Sequence, residues 1–408
     1  MSQRIAVRRG TAAVVASFVV VFSAIGYSTY ALLAPLPVIS PIAVPFESIS
    51  TSAAVVSMPE AGGAAIAEAD GTHLFAGREL DTPRPLASIA KVVTALVVLE
   101  EHPIEGDSDG ADITLTAADS RLPARYRAID GAVAPAPQGL TLTQRQIIEL
   151  LLVPSANNYA ETLAVWAFGS EDAYIAAARS WLDARGLDSI RIGDATGFSL
   201  LNTGTPRELV ALARLALADP VVARAAALSV VSVTGVGTFD TTNLALGSDG
   251  ITGLKTGTLD GVGSNLLFSG TVLVKNEPVD VVGVVLGLVD QPEVARAVRA
   301  LVSSATDDFH RIELAQVGTV VARYSAPWGD TAELRVAEGV GALVWGPVTT
   351  RAVLDAPQLQ VGTDTAPPSL IVRYGSQHAR VDLEWSGSID PPPPGWLLAQ
   401  PIELLFAG

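Results

Sequence analysis

The chain has 408 residues, enough for two domains with sizeable cores, and its composition is apolar, with 49% hydrophobic and 17% charged residues. It contains no cysteine, which excludes disulfides, thiolate metal sites and cysteine nucleophiles, and its four histidines are too far apart in sequence for a zinc motif. We therefore expect no metal and no other cofactor, and the net charge of −16 argues against nucleic acid and anionic lipid as partners.

The first predicted element is an apolar helix close to the N-terminus. Residues 1–10 contain three arginines and no acidic residue, and residues 11–33 contain no charged residue. A helix over 11–33 would be about 35 Å long, enough to cross the hydrocarbon core of a bilayer. We predict a cytoplasmic tail over 1–10 and a single transmembrane anchor over 11–33, with the rest of the chain outside the cytoplasm. A cleaved signal peptide, which would release a secreted protein, is the alternative, although no clean small-x-small cleavage site follows.

Three further regions follow from the distribution of proline and of apolar residues. Four prolines within residues 34–58 predict an extended linker. Residues 59–310 contain helical and strand-like segments and form the predicted main domain. Residues 314–388 alternate apolar and polar side chains with Gly and Pro between them, which predicts a small β-rich domain over 311–408. Within it, the apolar tail over 396–406 favours a final strand.

The stretch from Ala87 to Glu100 is typical of a helix buried in a large core, because it has no Gly or Pro and has apolar residues on every side. Its first turn nevertheless holds Ser88 and Lys91, which share one helix face at a spacing of three. Only three of the 26 basic residues are lysines, which indicates a need here for an amine that can lose its proton. Ser88 is therefore the candidate nucleophile and Lys91 the candidate base, with burial and the charge of Lys255 lowering the lysine pKa. The alternative is that Ser88 and Lys91 occur together in a core helix by chance.

A second candidate element follows a helix predicted over 144–153, which Thr143 would cap. After it, Ser155 and Asn157 lie in a predicted loop. Ser155 could relay a proton to a leaving amine, and Asn157 could orient Lys91 and bind a substrate amide. An ordinary turn after a proline would show the same residues, so this pattern alone carries little information.

The third candidate element is Lys255-Thr256-Gly257-Thr258, on a predicted strand edge. Gly257 would allow a substrate backbone to approach closely. Thr256 and Thr258 could bind a carboxylate together with Lys255, and the Thr258 N–H could complete an oxyanion hole with that of Ser88. A surface strand that ends in a turn is the alternative.

Taken in order, S-x-x-K, S-x-N and K-T-G resemble the signature of serine enzymes that interact with penicillin. With their neighbours, the motifs at 86–91, 152–158 and 250–257 resemble the D-alanyl-D-alanine carboxypeptidase family, the low-molecular-weight penicillin-binding proteins, over about residues 52–308. The resemblance implies an α+β protein whose catalytic domain, over 59–310, has the penicillin-binding/β-lactamase-like fold, a five-stranded antiparallel sheet flanked by helices. It implies removal of the terminal D-Ala from peptidoglycan stem peptides through an acyl-enzyme on Ser88. It also implies that β-lactams acylate this serine as inhibitors.

The family further implies a basic residue for the substrate carboxylate, for which Arg296 is the candidate here. Asp194-Ala195-Thr196-Gly197-Phe198 resembles a lesser family landmark. A class A β-lactamase is an alternative, but it needs a loop with a glutamate, and residues 187–202 contain none. An inert, membrane-tethered wall scaffold is another alternative, although such a protein would be expected to lose the motif residues. Carboxypeptidase, endopeptidase and transpeptidase activities are all compatible with the three motifs.

Overall fold

The computed structural model describes residues 2–52, 55–71 and 73–399, with side chains from residue 13 onwards. The chain divides into two compact units. The residues up to Ser52, together with those from His310 onwards, form one unit, and Ala53–Phe309 forms the other.

The unit Ala53–Phe309 is built on a five-stranded sheet in which every neighbouring pair is antiparallel. In spatial order its strands are Ile251–Leu259, Gly263–Val274, Glu277–Leu288, Gly63–Glu68 and Leu74–Arg78. The strand that carries the lysine motif therefore lies at one edge of the sheet. This arrangement confirms the predicted α+β fold with its five-stranded antiparallel sheet.

Both faces of this sheet are covered. Every residue from Val281 to Leu286 is buried, although successive side chains of a strand point to opposite faces. The helices Pro206–Ala218 and Gln291–Asp307 pack on the sheet. The remaining helical segments of this unit are Ala87–Ile89, Ala90–Glu101, Asp119–Arg121, Leu122–Arg127, Gln144–Leu152, Asn157–Phe168, Glu171–Asp183 and Pro220–Ala226. Its short strands pair as Arg84–Pro85 with Thr203–Gly204, Asp112–Thr114 with Thr141–Thr143, and Val230–Val233 with Gly237–Asp240.

The helix Ala90–Glu101 is the centre of this unit. All ten residues from Ala90 to Leu99 are buried, as the all-round apolar sequence predicts. The helices Asn157–Phe168 and Glu171–Asp183 pack directly against it. This packing keeps water away from the first turn of the central helix.

The other unit is β-rich, as predicted. Its larger sheet has six antiparallel strands, in the order Ile42–Ala43, Val320–Ser325, Thr331–Val336, Gln377–Gly387, Ser369–Tyr374 and Thr350–Leu354. A second, two-stranded sheet pairs Phe309–Ala315 with Val340–Trp345. Leu334, Val336 and Val372 are among the fully buried residues of its core.

Two segments of the β-rich unit differ from the sequence-based expectation. Within residues 34–58, expected as a linker, Ile42–Ala43 adds an edge strand to the six-stranded sheet, because an extended chain can pair with an open sheet edge. The start of the apolar tail is a helix, Pro394–Ala399, and the predicted strand there is wrong. A proline in the first helical turn favours a helix start, and Leu397 packs against Ala31. The rest of the tail, 400–408, lies outside the described residues.

The N-terminal helix spans Ser2–Leu33. Its stretch Ala13–Leu33 is long and apolar enough to cross a membrane, judged by length and composition. Large apolar side chains along it are exposed, including Phe18 and Phe22 at 60% and 68%. A helix of this kind fits either a membrane anchor or a signal sequence.

Candidate active site

Ser88 lies in a short 3-10 turn, Ala87–Ile89, that leads directly into the central helix. Ala87, just before it, has φ +49°, a backbone region that non-glycine residues adopt at a cost and that is common at functional sites. Two glycines press against this turn. A Cβ at Gly197 would lie 1.9 Å from the Ala87 carbonyl oxygen, and one at Gly257 would lie 2.8 Å from that of Leu86. The serine turn is therefore fixed by backbone packing on two sides.

This packing changes the interpretation of Gly257. The sequence suggested that this glycine makes room for a substrate backbone. In the structure it makes room for the serine turn, since a Cβ would also lie 3.1 Å from the Ser88 nitrogen. The close approach brings the edge strand Ile251–Leu259 against the backbone N–H of the candidate nucleophile.

Lys91 is completely buried, and its amine contacts three oxygen atoms. The Nζ atom lies 2.8 Å from Ser88 Oγ, 2.6 Å from Asn157 Oδ1 and 2.7 Å from the carbonyl oxygen of Thr196. The structure thus brings together three residues that the sequence predicted and adds a backbone carbonyl that it did not.

The chemistry of these partners determines how a neutral amine would sit. An amide oxygen and a peptide carbonyl can only accept hydrogen bonds. A neutral lysine has two N–H groups and one lone pair, so Asn157 Oδ1 and the Thr196 carbonyl take both hydrogens. The lone pair then faces the Ser88 hydroxyl, the one partner that can donate. These contacts would orient a neutral Lys91 as a proton acceptor from Ser88.

Burial also favours the neutral form of this amine. The pKa of Lys91 is lowered well below the usual 10.5, first by desolvation and then by the charge of Lys255, while the charge of Asp194 acts in the opposite direction. Lys255 is itself 1% exposed, and burial lowers its pKa to about 7. Its Nζ donates to the Thr256 carbonyl, 3.1 Å away. Burial therefore weakens the hold of both motif lysines on a proton.

Ser155 lies in the loop before the helix Asn157–Phe168, and Asn157 is the first residue of that helix. Ser155 has φ +64°, which again departs from the usual range for a non-glycine residue. The Asn157 backbone N–H donates to the Ala132 carbonyl at 2.8 Å, and a Cβ at Gly131 would lie 2.7 Å from Asn157 Nδ2. The segment around Gly131 therefore holds the asparagine against Lys91.

These residues open onto one cleft of about 340 Å³. Six of the predicted residues line it: Ser88, Ser155, Asn157, Thr256, Gly257 and Thr258. Lys91 and Lys255 lie beneath its surface. Further lining comes from the loops at 129–132 and 196–198, and from Thr242, Leu259, Asp260 and Gln291.

Arg296 does not lie with the other predicted residues. It is exposed on the helix Gln291–Asp307 and does not line the cleft. The residue of this helix that does is Gln291, whose Nε2 donates to the Gly257 carbonyl at 3.0 Å and to Thr258 Oγ1 at 2.9 Å. Five residues along a helix correspond to a rotation of about 140° around its axis, which turns Arg296 away.

The sequence did not indicate what the loop at 194–198 contacts, because its resemblance to a family landmark suggested no role. In the structure its Thr196 carbonyl contacts Lys91, and its residues 196–198 line the cleft. Glu171 is the acidic residue that contacts this loop, accepting from the Ala195 N–H at 3.2 Å. No glutamate is found among the described residues that line the cleft, so a deacylating glutamate of the class A β-lactamase type has no counterpart there.

Within residues 2–52, 55–71 and 73–399, no group of three or more His, Asp or Glu is placed to hold a metal ion.

Comparison with known protein families gives one match that covers most of the unit Ala53–Phe309. The sequence model of the family described as D-alanyl-D-alanine carboxypeptidase matches residues 50–289, which are 240 of the 408 residues. The match includes all three motifs.

Curated proteins with similar sequences are peptidases of the same kind. A D-alanyl-D-alanine endopeptidase of Escherichia coli is 28% identical over 177 residues, 42% of this chain and 54% of the relative. A D-alanyl-D-alanine carboxypeptidase of Mycobacterium tuberculosis is 30% identical over 162 residues, 39% of this chain and 51% of the relative. The chain thus spans about half the length of the curated relatives that it matches.

Solved structures with the same fold include a Streptomyces DD-transpeptidase, at a TM-score of 0.54 and 20% identity, over 62% of this chain and 98% of that one. Penicillin-binding protein 5 from Haemophilus influenzae superposes with a TM-score of 0.58 at 14% identity, over 84% of this chain and 100% of that one. At these identities the likeness concerns the fold, and it confirms the predicted penicillin-binding α+β architecture.

Proposed function

The chain belongs to the D-alanyl-D-alanine carboxypeptidase family, and on that premise we propose that it is a serine-type D-Ala-D-Ala peptidase of peptidoglycan. In this proposal it removes the terminal D-Ala from stem peptides through an acyl-enzyme on Ser88, and β-lactams acylate the same serine. The proposal rests on the environment of Lys91 Nζ. This atom lies 2.8 Å from Ser88 Oγ, and its two other partners, Asn157 Oδ1 and the Thr196 carbonyl, can only accept hydrogen bonds.

In the acylation step, Ser88 Oγ attacks the carbonyl carbon of the penultimate D-Ala while Lys91 Nζ takes the hydroxyl proton. The charge that develops on the carbonyl oxygen would be bound by the N–H groups of Ser88 and Thr258, which the contact of Gly257 with the serine turn brings near each other. When the C–N bond breaks, Ser155 relays the proton to the leaving amine. Water then hydrolyses the ester, with Lys91 again as the base.

Substrate binding would use the edge strand Ile251–Leu259. Its outer edge faces the cleft, so an extended stem peptide can pair with it as an additional strand. The hydroxyls of Thr256 and Thr258 would bind the terminal carboxylate, with the positive charge of Lys255 beneath them.

A second candidate activity is endopeptidase cleavage of cross-linked stem peptides, and the charge of the residues that line the cleft supports it. The ionisable side chains among its described lining residues are Asp130 and Asp260, and no lysine or arginine is among them. A cleft without a surface cation is less suited to a free terminal carboxylate than to a leaving group in which that carboxylate is absent or amidated.

Incubation with defined substrates tests these activities. We expect the protein to convert a stem pentapeptide ending in D-Ala-D-Ala to the tetrapeptide plus free D-alanine, detected by mass spectrometry. A cross-linked stem-peptide dimer, supplied separately, measures endopeptidase activity. The Ser88→Ala protein is the control for both substrates, because it lacks the proposed nucleophile. If neither substrate is consumed by protein that reacts with penicillin, the proposed activity is wrong; if the dimer alone is cleaved, the endopeptidase assignment replaces the carboxypeptidase one.

We further propose that the helix Ser2–Leu33 anchors the protein in the membrane, with the catalytic unit Ala53–Phe309 outside the cytoplasm. The basic N-terminal residues and the apolar stretch Ala13–Leu33 support this orientation. We expect protein from the native host to stay in the membrane after an alkaline wash and to keep its N-terminal peptide in sequencing. A mature chain that begins near residue 35 or later would show instead that the helix is a cleaved signal peptide.

A further inference from the structure

The carboxylate of Asp194 organises the loop that supplies a carbonyl to Lys91. Its Oδ1 atom accepts hydrogen bonds from the N–H groups of Thr196 at 2.7 Å, Gly197 at 2.6 Å and Phe198 at 3.3 Å, and from Thr196 Oγ1 at 3.0 Å. Its Oδ2 atom accepts from the N–H of Ser199. Four successive backbone N–H groups therefore converge on one side chain. A carboxylate that accepts several such bonds holds the backbone between them in a single conformation.

The opposite side of this loop contacts the central helix. Thr94 Oγ1 donates to the Ala195 carbonyl at 2.8 Å, and Lys91 Nζ donates to the Thr196 carbonyl at 2.7 Å. Lys91 and Thr94 are three residues apart on one helix face, so two successive carbonyls of the loop meet successive polar side chains of the helix. Gly197 also packs against the Ala87 carbonyl, next to the nucleophile. The loop is thus attached to the base and to the serine turn.

We infer that Asp194 is a positioning residue for the general base: by holding the Thr196 carbonyl against Lys91 Nζ, it turns the amine lone pair towards Ser88. The inference rests on the proposed function, since it concerns the acylation step. Without the Thr196 carbonyl, a neutral Lys91 has one fixed acceptor, Asn157 Oδ1, and its lone pair can rotate away from the serine hydroxyl. Asp194 itself contacts no reacting atom and acts through the loop.

The charge of Asp194 provides a readout that a purely structural role would lack. Charged or titratable groups reach the surroundings of Lys91 from three elements: Lys255 from the edge strand, Asp194 from its own loop, and Glu171 and Tyr174 from the helix Glu171–Asp183. Asp194 favours the ammonium form of Lys91, whereas Lys255 and burial favour the neutral form. Removal of the Asp194 charge should therefore lower the Lys91 pKa further, so that the active neutral amine is present at lower pH.

Two substitutions separate positioning from charge. Asp194→Asn keeps the Oδ1 acceptor, which makes four of the five hydrogen bonds, but removes the negative charge. Asp194→Ala removes all five bonds. Asp188→Asn is the matched control, because it makes the same chemical change at an exposed position of the preceding segment.

The experiment measures the rate of acylation by a fluorescent penicillin from pH 5 to 10, using the full-length protein and these variants, with circular dichroism as a check of folding. For Asp194→Asn we expect the rising limb of the rate profile to move to lower pH, with acylation preserved at the plateau within about tenfold. For Asp194→Ala we expect the plateau rate to fall by about 10²-fold, because the base is no longer held in position. Asp188→Asn should reproduce the wild-type profile.

An Asp194→Asn profile that coincides with the wild type, or that moves to higher pH, would contradict the effect stated for the Asp194 charge. A plateau rate of this variant that falls by about 10²-fold, although it keeps four of the five hydrogen bonds, would overturn the inference. So would an Asp194→Ala protein that folds and is acylated at the wild-type rate. If the alanine variant does not fold, the plateau rate of the asparagine variant decides. A wild-type protein that penicillin does not acylate would instead contradict the proposed function, so the two failures can be told apart.

Discussion

Ser88→Ala protein is expected to show no covalent labelling by fluorescent penicillin, whereas the wild-type protein should be labelled at this residue. In the proposed mechanism the label is held by an ester bond to the Ser88 hydroxyl, which Lys91 Nζ approaches to 2.8 Å. Loss of a nucleophilic serine costs on the order of 10⁶-fold in turnover in a serine protease, so labelling should fall below detection. Gel fluorescence and mass mapping of the labelled peptide measure the effect.

Ser180→Ala is a suitable control for this experiment. Ser180 is exposed on the helix Glu171–Asp183, and its hydroxyl donates within that helix to the Ala176 carbonyl. This variant should be labelled as the wild type is. Labelling that survives in Ser88→Ala protein would show that another hydroxyl is the nucleophile, and Ser155, which lines the same cleft, would be the first to map.

Lys91→Arg is expected to be almost as inactive in acylation as Lys91→Ala, although it keeps the positive charge. A guanidinium stays protonated under all conditions of the assay and cannot accept the Ser88 proton. General-base catalysis contributes about 10²- to 10⁴-fold, and a loss in that range is the expected result for both variants. Stopped-flow acylation by penicillin measures the rates.

The wild-type pH profile provides the accompanying test. In the proposed mechanism the neutral amine is the active form, and burial lowers the Lys91 pKa well below 10.5. Acylation should therefore rise with pH through this lowered pKa and reach its plateau before an ordinary lysine would titrate. Lys275→Arg is the matched control for Lys91→Arg, because it is the same substitution outside the site. Lys275 is exposed in the turn between two strands of the sheet. If Lys91→Arg keeps a near-normal rate, Lys91 is an electrostatic anchor and another group takes the proton.

Much of the site could be predicted because its signals are local. Ser88 and Lys91 meet because residues three apart share a helix face, and that geometry does not depend on the rest of the fold. The uninterrupted apolar residues around them predicted the burial of the central helix, which is confirmed. Thr143, predicted to cap the next helix, forms a capping box with Gln146.

Other features depended on contacts between residues far apart in the chain. The Thr196 carbonyl reaches Lys91 across 105 residues, and because every residue has a carbonyl, no side-chain pattern could identify it. Arg296 and Gln291 lie on one helix, but only its rotation against the sheet decides which one enters the cleft. Ile42–Ala43 becomes a strand because the edge of a distant sheet is open to it.

The sequence by itself thus determined the family, the α+β class, the apolar N-terminal helix and the candidate nucleophile and base, because hydrophobic periodicity and motif spacing are local properties. The tertiary structure alone decided how the base is held. The Thr196 carbonyl comes from the loop that Asp194 organises, and Asn157 is the first residue of another helix. Both reach Lys91 because helices pack around Ala90–Glu101. A short-range pattern specifies which side chains are available, whereas the direction of a lone pair depends on the oxygen atoms that folding places around it.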